Sequence, residues 1–298
     1  MKLKVSFPGI VFFIVFIFSG CSQEDDFPVL KGPYLGQKPP GLNPEVFAPG
    51  IVSTPKGHEY TCSISPDGKE IYFNRGQIIL FSKWVKQGWT KPVEVKFTEG
   101  YRAHEAHVSR NNKRIYFGSW RPVPGKAEHE STDYSIWYVN RTEEGWSKAQ
   151  YLGYGMNVST TLDGKIYLTD IRLPEENIGL ATVEIINNRI VGFNKLIGGM
   201  NKPAADRAPG RHPCIAPDES FVIFDSYDKN GKGRLYICYR KKSGKWSKAF
   251  DPSDKINFKD HICTSLSPDG KYMFYHADSD IYWVRTDFIE ELKPEQLK

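Results

Sequence analysis

Histidine, carboxylate and arginine side chains occur together at several places in this sequence, and these residues are the best suited to chemistry. Neutral imidazole nitrogens combined with carboxylate oxygens suit a transition metal or a mixed Ca²⁺ shell. Four of the seven histidines lie in these groups. The groups are His58-Glu59, His104-Glu105, Asn157, Arg211-His212 and Asp260-His261.

Three interpretations of this polar set stay open. The set could bind a sugar, an anion or a metal through His58, Glu59, His104, Glu105, Arg211, His212, Asp260 and His261. It could instead catalyse, with Glu59, Glu105, Asp206 or Asp260 as general acid and base. It could also be the hydrated lining of a channel that has only a structural role.

Spacing excludes several catalytic classes. His104 and His107 are three residues apart, so on a regular strand they point to opposite faces and cannot easily share one ion. The helical His-Glu-x-x-His arrangement is absent from the sequence. The sequence has no Gly-x-Ser-x-Gly elbow, so a serine hydrolase has no support. It also has no phosphate-binding loop and no dinucleotide fingerprint.

The elements that must position these residues come from an internal repeat. Each copy has a short turn motif followed by β-branched and aromatic residues, which predicts a strand, a tight turn and a second strand. The turn residues are spaced 44, 52, 55 and 51 positions apart. They are Asp67, Asn111, Asp163, Asp218 and Asp269.

A third strand and a Trp-Ser/Thr-Lys segment follow most hairpins, as at Trp89, Trp146 and Trp246. Four strands per unit at this period are typical of a propeller blade. The fifth repeat lacks its fourth strand, whereas residues 45–54 resemble one. We therefore predict an all-β, five-bladed β-propeller over residues 45–298, in which an N-terminal strand closes the last blade.

The Ser-Pro-Asp-Gly-Lys motif, intact at 65–69 and 267–271, resembles the TolB-type, WD-like propeller repeats of bacterial periplasmic proteins. The resemblance covers about residues 45–285. It implies the fold, but not an activity, because such repeats occur in scaffolds, peptidase gates and enzymes. Some five-bladed glycosidases use carboxylates from several blades, which makes Glu59, Glu105 and Asp260 the catalytic candidates under that alternative.

Residues 1–20 have the form of a signal peptide, with Lys2 and Lys4 before an apolar core. Phe18-Ser19-Gly20-Cys21 resembles a bacterial lipobox, which implies lipidation of Cys21 and an outer-membrane location, facing the periplasm or the cell surface. The acidic run at 24–26 resembles the surface-export signal of Bacteroidetes lipoproteins, and a plain hydrophilic tether is the alternative. Residues 21–44 are predicted to be a lipidated linker rich in Pro and Gly.

Charge and cysteines limit the possible partners. The net charge of +5 falls to +3 without the two leader lysines, and its scattered basic residues do not support nucleic-acid binding. The cysteines Cys62, Cys214, Cys238 and Cys263 could be paired or could be free buried thiols.

The ends of the second strands carry Asn74, Thr169, Asp225 and His276. We expect these side chains to form hydrogen bonds between blades at the far end of the hairpins. We expect the chain to be an envelope binding or scaffold module for a glycan, peptide or protein partner. The alternative is a polysaccharide hydrolase or lyase, and a divalent metal is the one cofactor considered.

Overall fold

Five antiparallel sheets make up the protein, a five-bladed β-propeller, in the computed structural model. The structure describes residues 27–126, 133–172, 178–256, 258 and 262–297. The predicted leader, the predicted lipidation site Cys21, and the candidate site residues Asp260 and His261 lie outside these residues.

The strands of each blade follow one another along the chain, from the channel outwards. The first strand, β1 (Glu45–Val46), precedes blade one. Blade one contains β2 (Glu59–Ile64), β3 (Glu70–Arg75), β4 (Ile78–Val85), β5 (Gly88–Trp89) and β6 (Val93–Glu94). Blade two contains β7 (Ala103–Val108), β8 (Arg114–Ser119), β9 (Ser135–Thr142), β10 (Gly145–Trp146) and β11 (Gln150–Tyr154).

The remaining three blades use the same antiparallel order. Blade three contains β12 (Met156–Thr160), β13 (Ile166–Asp170), β14 (Gly179–Ile186) and β15 (Arg189–Lys195). Blade four contains β16 (Arg211–Ile215), β17 (Phe221–Tyr227) and β18 (Gly233–Tyr239). Blade five contains β19 (Ile262–Leu266), β20 (Tyr272–Ala277) and β21 (Asp280–Arg285), and the helix α1 (Asp287–Leu292) follows it.

The repeated motif forms the turn between the first two strands of a blade. In blade one, the Ser65 hydroxyl donates to Asp67 at 2.6 Å and accepts the Glu70 backbone N–H at 2.9 Å. Gly68 has a φ of 70°, which a residue without Cβ adopts at little cost. The same serine–carboxylate bond recurs in blade five, from Ser267 to Asp269 at 2.7 Å. The motif therefore fixes the hairpin register by local hydrogen bonds.

The N-terminal strand closes the ring, as the sequence predicts. Glu45 pairs with Trp283 and Val46 with Tyr282, so β1 becomes the fourth strand of blade five. The fully buried Phe47 side chain then packs edge-on against Trp283, with ring centroids 5.1 Å apart.

The segment predicted to be a linker is partly folded onto the propeller. Leu35 is buried, and the Tyr34 ring lies 5.3 Å from that of Trp283. The Leu30 carbonyl accepts the Trp89 backbone N–H at 3.0 Å. The contacts of Tyr34 and Leu35 hold this Pro- and Gly-rich segment against the propeller, so packed structure begins before residue 45.

The core lies between neighbouring blades, where apolar side chains of facing sheets meet. Trp146 of blade two donates its indole N–H to the Tyr72 hydroxyl of blade one at 3.0 Å. Cys62, Cys214, Cys238 and Cys263 are all free and buried, which answers the pairing question in favour of thiols. Across the described ranges, every helix is too short or too polar to cross a bilayer.

Candidate functional site

The innermost strand of every blade carries a β-bulge at the same height in the channel. Register shifts separate Glu59 from Cys62 in blade one and His104 from His107 in blade two, and the other three blades repeat this. In four blades the first bulge residue has a left-handed backbone. These residues are Glu105 (φ 59°), Asn157 (φ 50°), His212 (φ 48°) and Cys263 (φ 55°).

Left-handed φ costs a non-glycine residue about 1–2 kcal/mol, so four such positions at one level of the channel need support. The support comes from the preceding blade, whose side chain accepts the strained backbone N–H. The four bonds are Glu105 N to Asn74 Oδ1 (2.8 Å), Asn157 N to Glu105 Oε2 (2.9 Å), His212 N to Thr169 Oγ1 (2.9 Å) and Cys263 N to Asp225 Oδ1 (3.2 Å).

Asn74, Thr169 and Asp225 thus form the expected bonds between blades, but at a different end from the one predicted. In an antiparallel hairpin the end of the second strand lies beside the start of the first. These side chains therefore lie at the polar cluster itself. His276 differs from them, because its buried Nε2 has no hydrogen-bond partner among the residues that the structure describes.

Glu105, His212 and Cys263 bring a carboxylate, an imidazole and a thiol together from blades two, four and five. One donor atom of each lies within 4.8 Å of the others, and all three residues are buried. Nε2 of His212 lies 3.9 Å from Oε1 of Glu105. Among the residues that the structure describes, these three side chains are the His, Cys and carboxylate groups that lie close enough together to hold one cation.

Surrounding groups fix the orientation of this cluster. Nδ1 of His212 bonds Asp225 at 2.8 Å, which turns Nε2 towards Glu105. The Tyr134 hydroxyl donates to Oε2 of Glu105 at 2.8 Å. A Cβ on Gly118 would lie 1.7 Å from that hydroxyl, so the absence of a side chain there lets Tyr134 reach the carboxylate.

The cluster also shifts its own ionisation. Burial is the largest influence on the pKa of His212 and lowers it, but the charges and hydrogen bonds of Asp225 and Cys263 together outweigh burial and raise that pKa well above its ordinary value. Burial raises the pKa of Glu105, and the bonds from Tyr134 and Asn157 offset only part of this. Burial likewise raises the pKa of Cys263, which hydrogen-bonds to the His212 ring.

Below the cluster, the channel encloses a cavity of about 40 Å³. Glu105, Asn157 and Cys263 line it, together with Cys62 and Cys214. That volume holds one or a few water molecules and cannot admit a sugar ring.

Above the cluster, one mouth of the channel is lined by rings in edge-to-face contact. His104 packs against Trp120 (4.8 Å between centroids) and Tyr60 (5.0 Å), and Trp120 packs against Tyr134 (4.6 Å). His58 packs against His276 at 5.2 Å. Burial lowers the pKa of both His104 and His276 to about 4, so their rings are neutral near neutral pH.

The predicted site residues separate into two groups. Glu105 and His212 meet in the channel, whereas His104 and the exposed His58 lie at the aromatic mouth. Arg211 stacks over Tyr227, 5.7 Å from its ring centroid.

Two predicted carboxylates have other surroundings. Glu59 is fully buried, and its Oε1 accepts from Arg75 at 2.7 Å and from Thr54 at 2.9 Å. Asp206 is exposed in the loop before β16.

The bulge corrects the argument about His104 and His107. It adds a residue, so their partners Gly118 and Tyr116 are two apart, which places both histidines on one face. They still belong to different environments, because His107 bonds Thr160 at 2.9 Å inside the propeller.

Sequence reasoning missed Cys263, Tyr134 and the role of Asp225. Cys62, Cys214 and Cys263 occupy similar positions in their repeats. That recurrence could have indicated that Cys263 lies on an innermost strand, close to the channel.

No protein-family model matches this sequence, and no curated protein is significantly similar to it. Several solved structures share its fold. The putative TolB from Agrobacterium tumefaciens is 15% identical, with a TM-score of 0.52 over 79% of each chain. A GH43_12 protein from a capybara gut metagenome is 12% identical, with a TM-score of 0.51 over 90% of this chain and 59% of that chain. At such identities the likeness shows the fold alone, a five-bladed propeller similar to TolB-type proteins.

Proposed function

We propose that this chain is a lipid-anchored binding propeller of the bacterial envelope, which takes a glycan at the aromatic mouth of its channel. The observation that carries the proposal is the continuous set of half-buried rings there, including Tyr60, His104, Trp120 and Tyr134. Aromatic faces give sugars a large apolar contact, and ligand sites combine such surfaces with a few polar groups.

The neutral histidine rings at the mouth favour an uncharged ligand that is rich in hydroxyl groups. His104 and His276 are neutral rings near neutral pH, and within the described part of the chain the buried Nε2 atom of each has no hydrogen-bond partner. An unpaired buried polar atom is costly, so a hydroxyl group that reached it would gain binding energy. The lipobox-like Phe18-Ser19-Gly20-Cys21 supports the anchor and the envelope location.

Binding to a glycan array by the purified protein tests this proposal. Trp120→Ala should weaken binding to any glycan that the array identifies by about 1–3 kcal/mol, or roughly 5–150-fold, because it removes a central ring of the mouth. Trp84→Ala is the matched control, since Trp84 is a partly exposed tryptophan on the outer strand β4. If the protein bound an envelope peptide but no glycan, the proposal of a glycan ligand would be wrong. If Trp120→Ala and Trp84→Ala weakened binding equally, the aromatic mouth would not be the binding site.

A second candidate is a carbohydrate-active enzyme. The observation in its favour is the channel carboxylate Glu105, which bonds Tyr134 of the aromatic mouth and whose pKa is raised by burial, as suits a general acid. It predicts product release from a polysaccharide panel, abolished by Glu105→Gln. If no product is released from any polysaccharide, with or without EDTA, the enzyme candidate is excluded and the binding function remains.

A further inference from the structure

Three donor atoms of different chemistry converge in the channel from sheets far apart in sequence. Oε1 of Glu105 and Nε2 of His212 are 3.9 Å apart, and Sγ of Cys263 lies within 4.8 Å of the other ligand atoms. Ligands at about 2.0–2.3 Å from a tetrahedral ion lie about 3.3–3.8 Å from one another. A small side-chain adjustment would therefore bring this set to bonding distance.

The groups around the donors hold them in the orientation that metal ligation needs. Asp225 bonds Nδ1 of His212 and leaves Nε2 for the ion, an arrangement that recurs in metalloproteins. Tyr134 and the Asn157 backbone N–H both bond Oε2 of Glu105, which leaves Oε1 facing His212. Asp225 is completely buried, so this support is rigid.

The donor set also selects the ion. A thiolate is a soft ligand, which disfavours Ca²⁺ and Mg²⁺, whereas imidazole, thiolate and carboxylate together suit Zn²⁺. The three protein ligands leave a fourth position, and the adjoining cavity of about 40 Å³ has room for water there.

The same residues could suggest a nucleophilic thiol, with Cys263 activated by His212 and Asp225. The surroundings argue against that interpretation. The cavity beside the thiol is too small for an acyl or peptide substrate, and a nucleophilic thiol needs access to its substrate, whereas Cys263 is buried.

We infer that Glu105, His212 and Cys263 form a site for Zn²⁺ or a similar thiophilic divalent ion on the axis of the propeller. By bonding to blades two, four and five at once, the ion would link three sheets whose described strands do not pair with one another. The inference is independent of what binds at the mouth.

The test is metal titration of the full-length protein after removal of metal with a chelator. We expect one equivalent of Zn²⁺ per chain and a rise in melting temperature, because an ion that binds only the folded state stabilises it. Co²⁺ as a probe should give a thiolate-to-metal charge-transfer band. Failure of the protein to bind either ion at micromolar concentrations would overturn the inference.

Substitution identifies the ligands. Cys263→Ser should abolish the charge-transfer band and weaken Zn²⁺ binding by more than about tenfold. Cys214→Ser is the matched control, because Cys214 is also a buried thiol that lines the cavity but lies outside the donor set. Loss of the band in Cys214→Ser with retention in Cys263→Ser would refute the assignment.

A measurement on the wild-type protein covers the case in which Cys263→Ser does not fold. Zn²⁺ should slow alkylation of Cys263 by a small reagent, as followed by peptide mass spectrometry, while Cys238 serves as the internal reference. Equal alkylation rates with and without Zn²⁺ would exclude the thiol as a ligand.

Discussion

Asp225 of blade four accepts hydrogen bonds from Nδ1 of His212 at 2.8 Å and from the backbone N–H of Cys263 in blade five at 3.2 Å. One carboxylate therefore orients the imidazole and supports a strained bulge of the next blade. It is also fully shielded from solvent. This links the integrity of the ring to the geometry of the cluster.

Asp225→Asn should lower the free energy of unfolding by about 3–5 kcal/mol, because it removes the charged partner of a buried imidazole. Urea denaturation monitored by tryptophan fluorescence measures this. Asp254→Asn, at an exposed carboxylate, should change stability by less than about 0.5 kcal/mol. Similar losses in both variants would mean that the buried pair contributes nothing specific.

Asn74→Ala should also destabilise the fold. The Asn74 amide donates to the carbonyls of Ile78 and Ala103 and accepts from Glu105 N, so its loss leaves several buried groups unpaired. We expect a loss of about 2–4 kcal/mol in chemical denaturation. The exposed Asn194 gives the control variant Asn194→Ala, which should be nearly neutral; a neutral Asn74→Ala would contradict the role of this bond.

Phe47→Ala tests closure of the ring by the N-terminal strand. The side chain is fully buried against Phe274 and Trp283, so its truncation should cost about 3–5 kcal/mol. Thermal unfolding should shift accordingly, whereas Ile197→Ala at an exposed position should not. An unchanged transition for Phe47→Ala would show that the propeller is stable without this strand.

His276 predicts a pH dependence of stability. The pKa of His276 is lowered from 6.5 to about 4, chiefly by burial and to a smaller extent by the neighbouring His58. The unfolded chain takes up this proton more readily, so the stability from the neutral ring is complete above pH 6.5 and is lost as the pH falls towards 4. His276→Phe should lose less stability over this range than wild type; parallel curves would contradict the prediction.

The fold follows from the sequence because its information is local and repeated. Asp67, Asp163 and Asp269 each mark a hairpin, and the missing strand after Arg285 points to its replacement at Glu45. Hydrogen bonds within a few residues fix these turns, so one copy of the motif is informative without tertiary context.

The site was only partly predictable, because bulges leave no clear mark on the residue pattern. Glu105 and His212 were identified as candidates, and both lie in the cluster. Cys263 was treated as a thiol of unknown pairing, since the extra bulge residue that turns it into the channel cannot be counted from the sequence. Asp225 was assigned to the wrong end of its hairpin.

The closing contact between Ser53 and Ile281 joins residues 228 positions apart. Their backbone and hydroxyl groups bond in both directions, at 3.1 and 3.3 Å. A chain emerging from the ribosome must therefore keep its first strand unpaired until nearly the whole polypeptide has appeared. During that interval Phe47 lacks its aromatic partners Phe274 and Trp283, so assembly of this propeller ends, rather than begins, with its N-terminal strand.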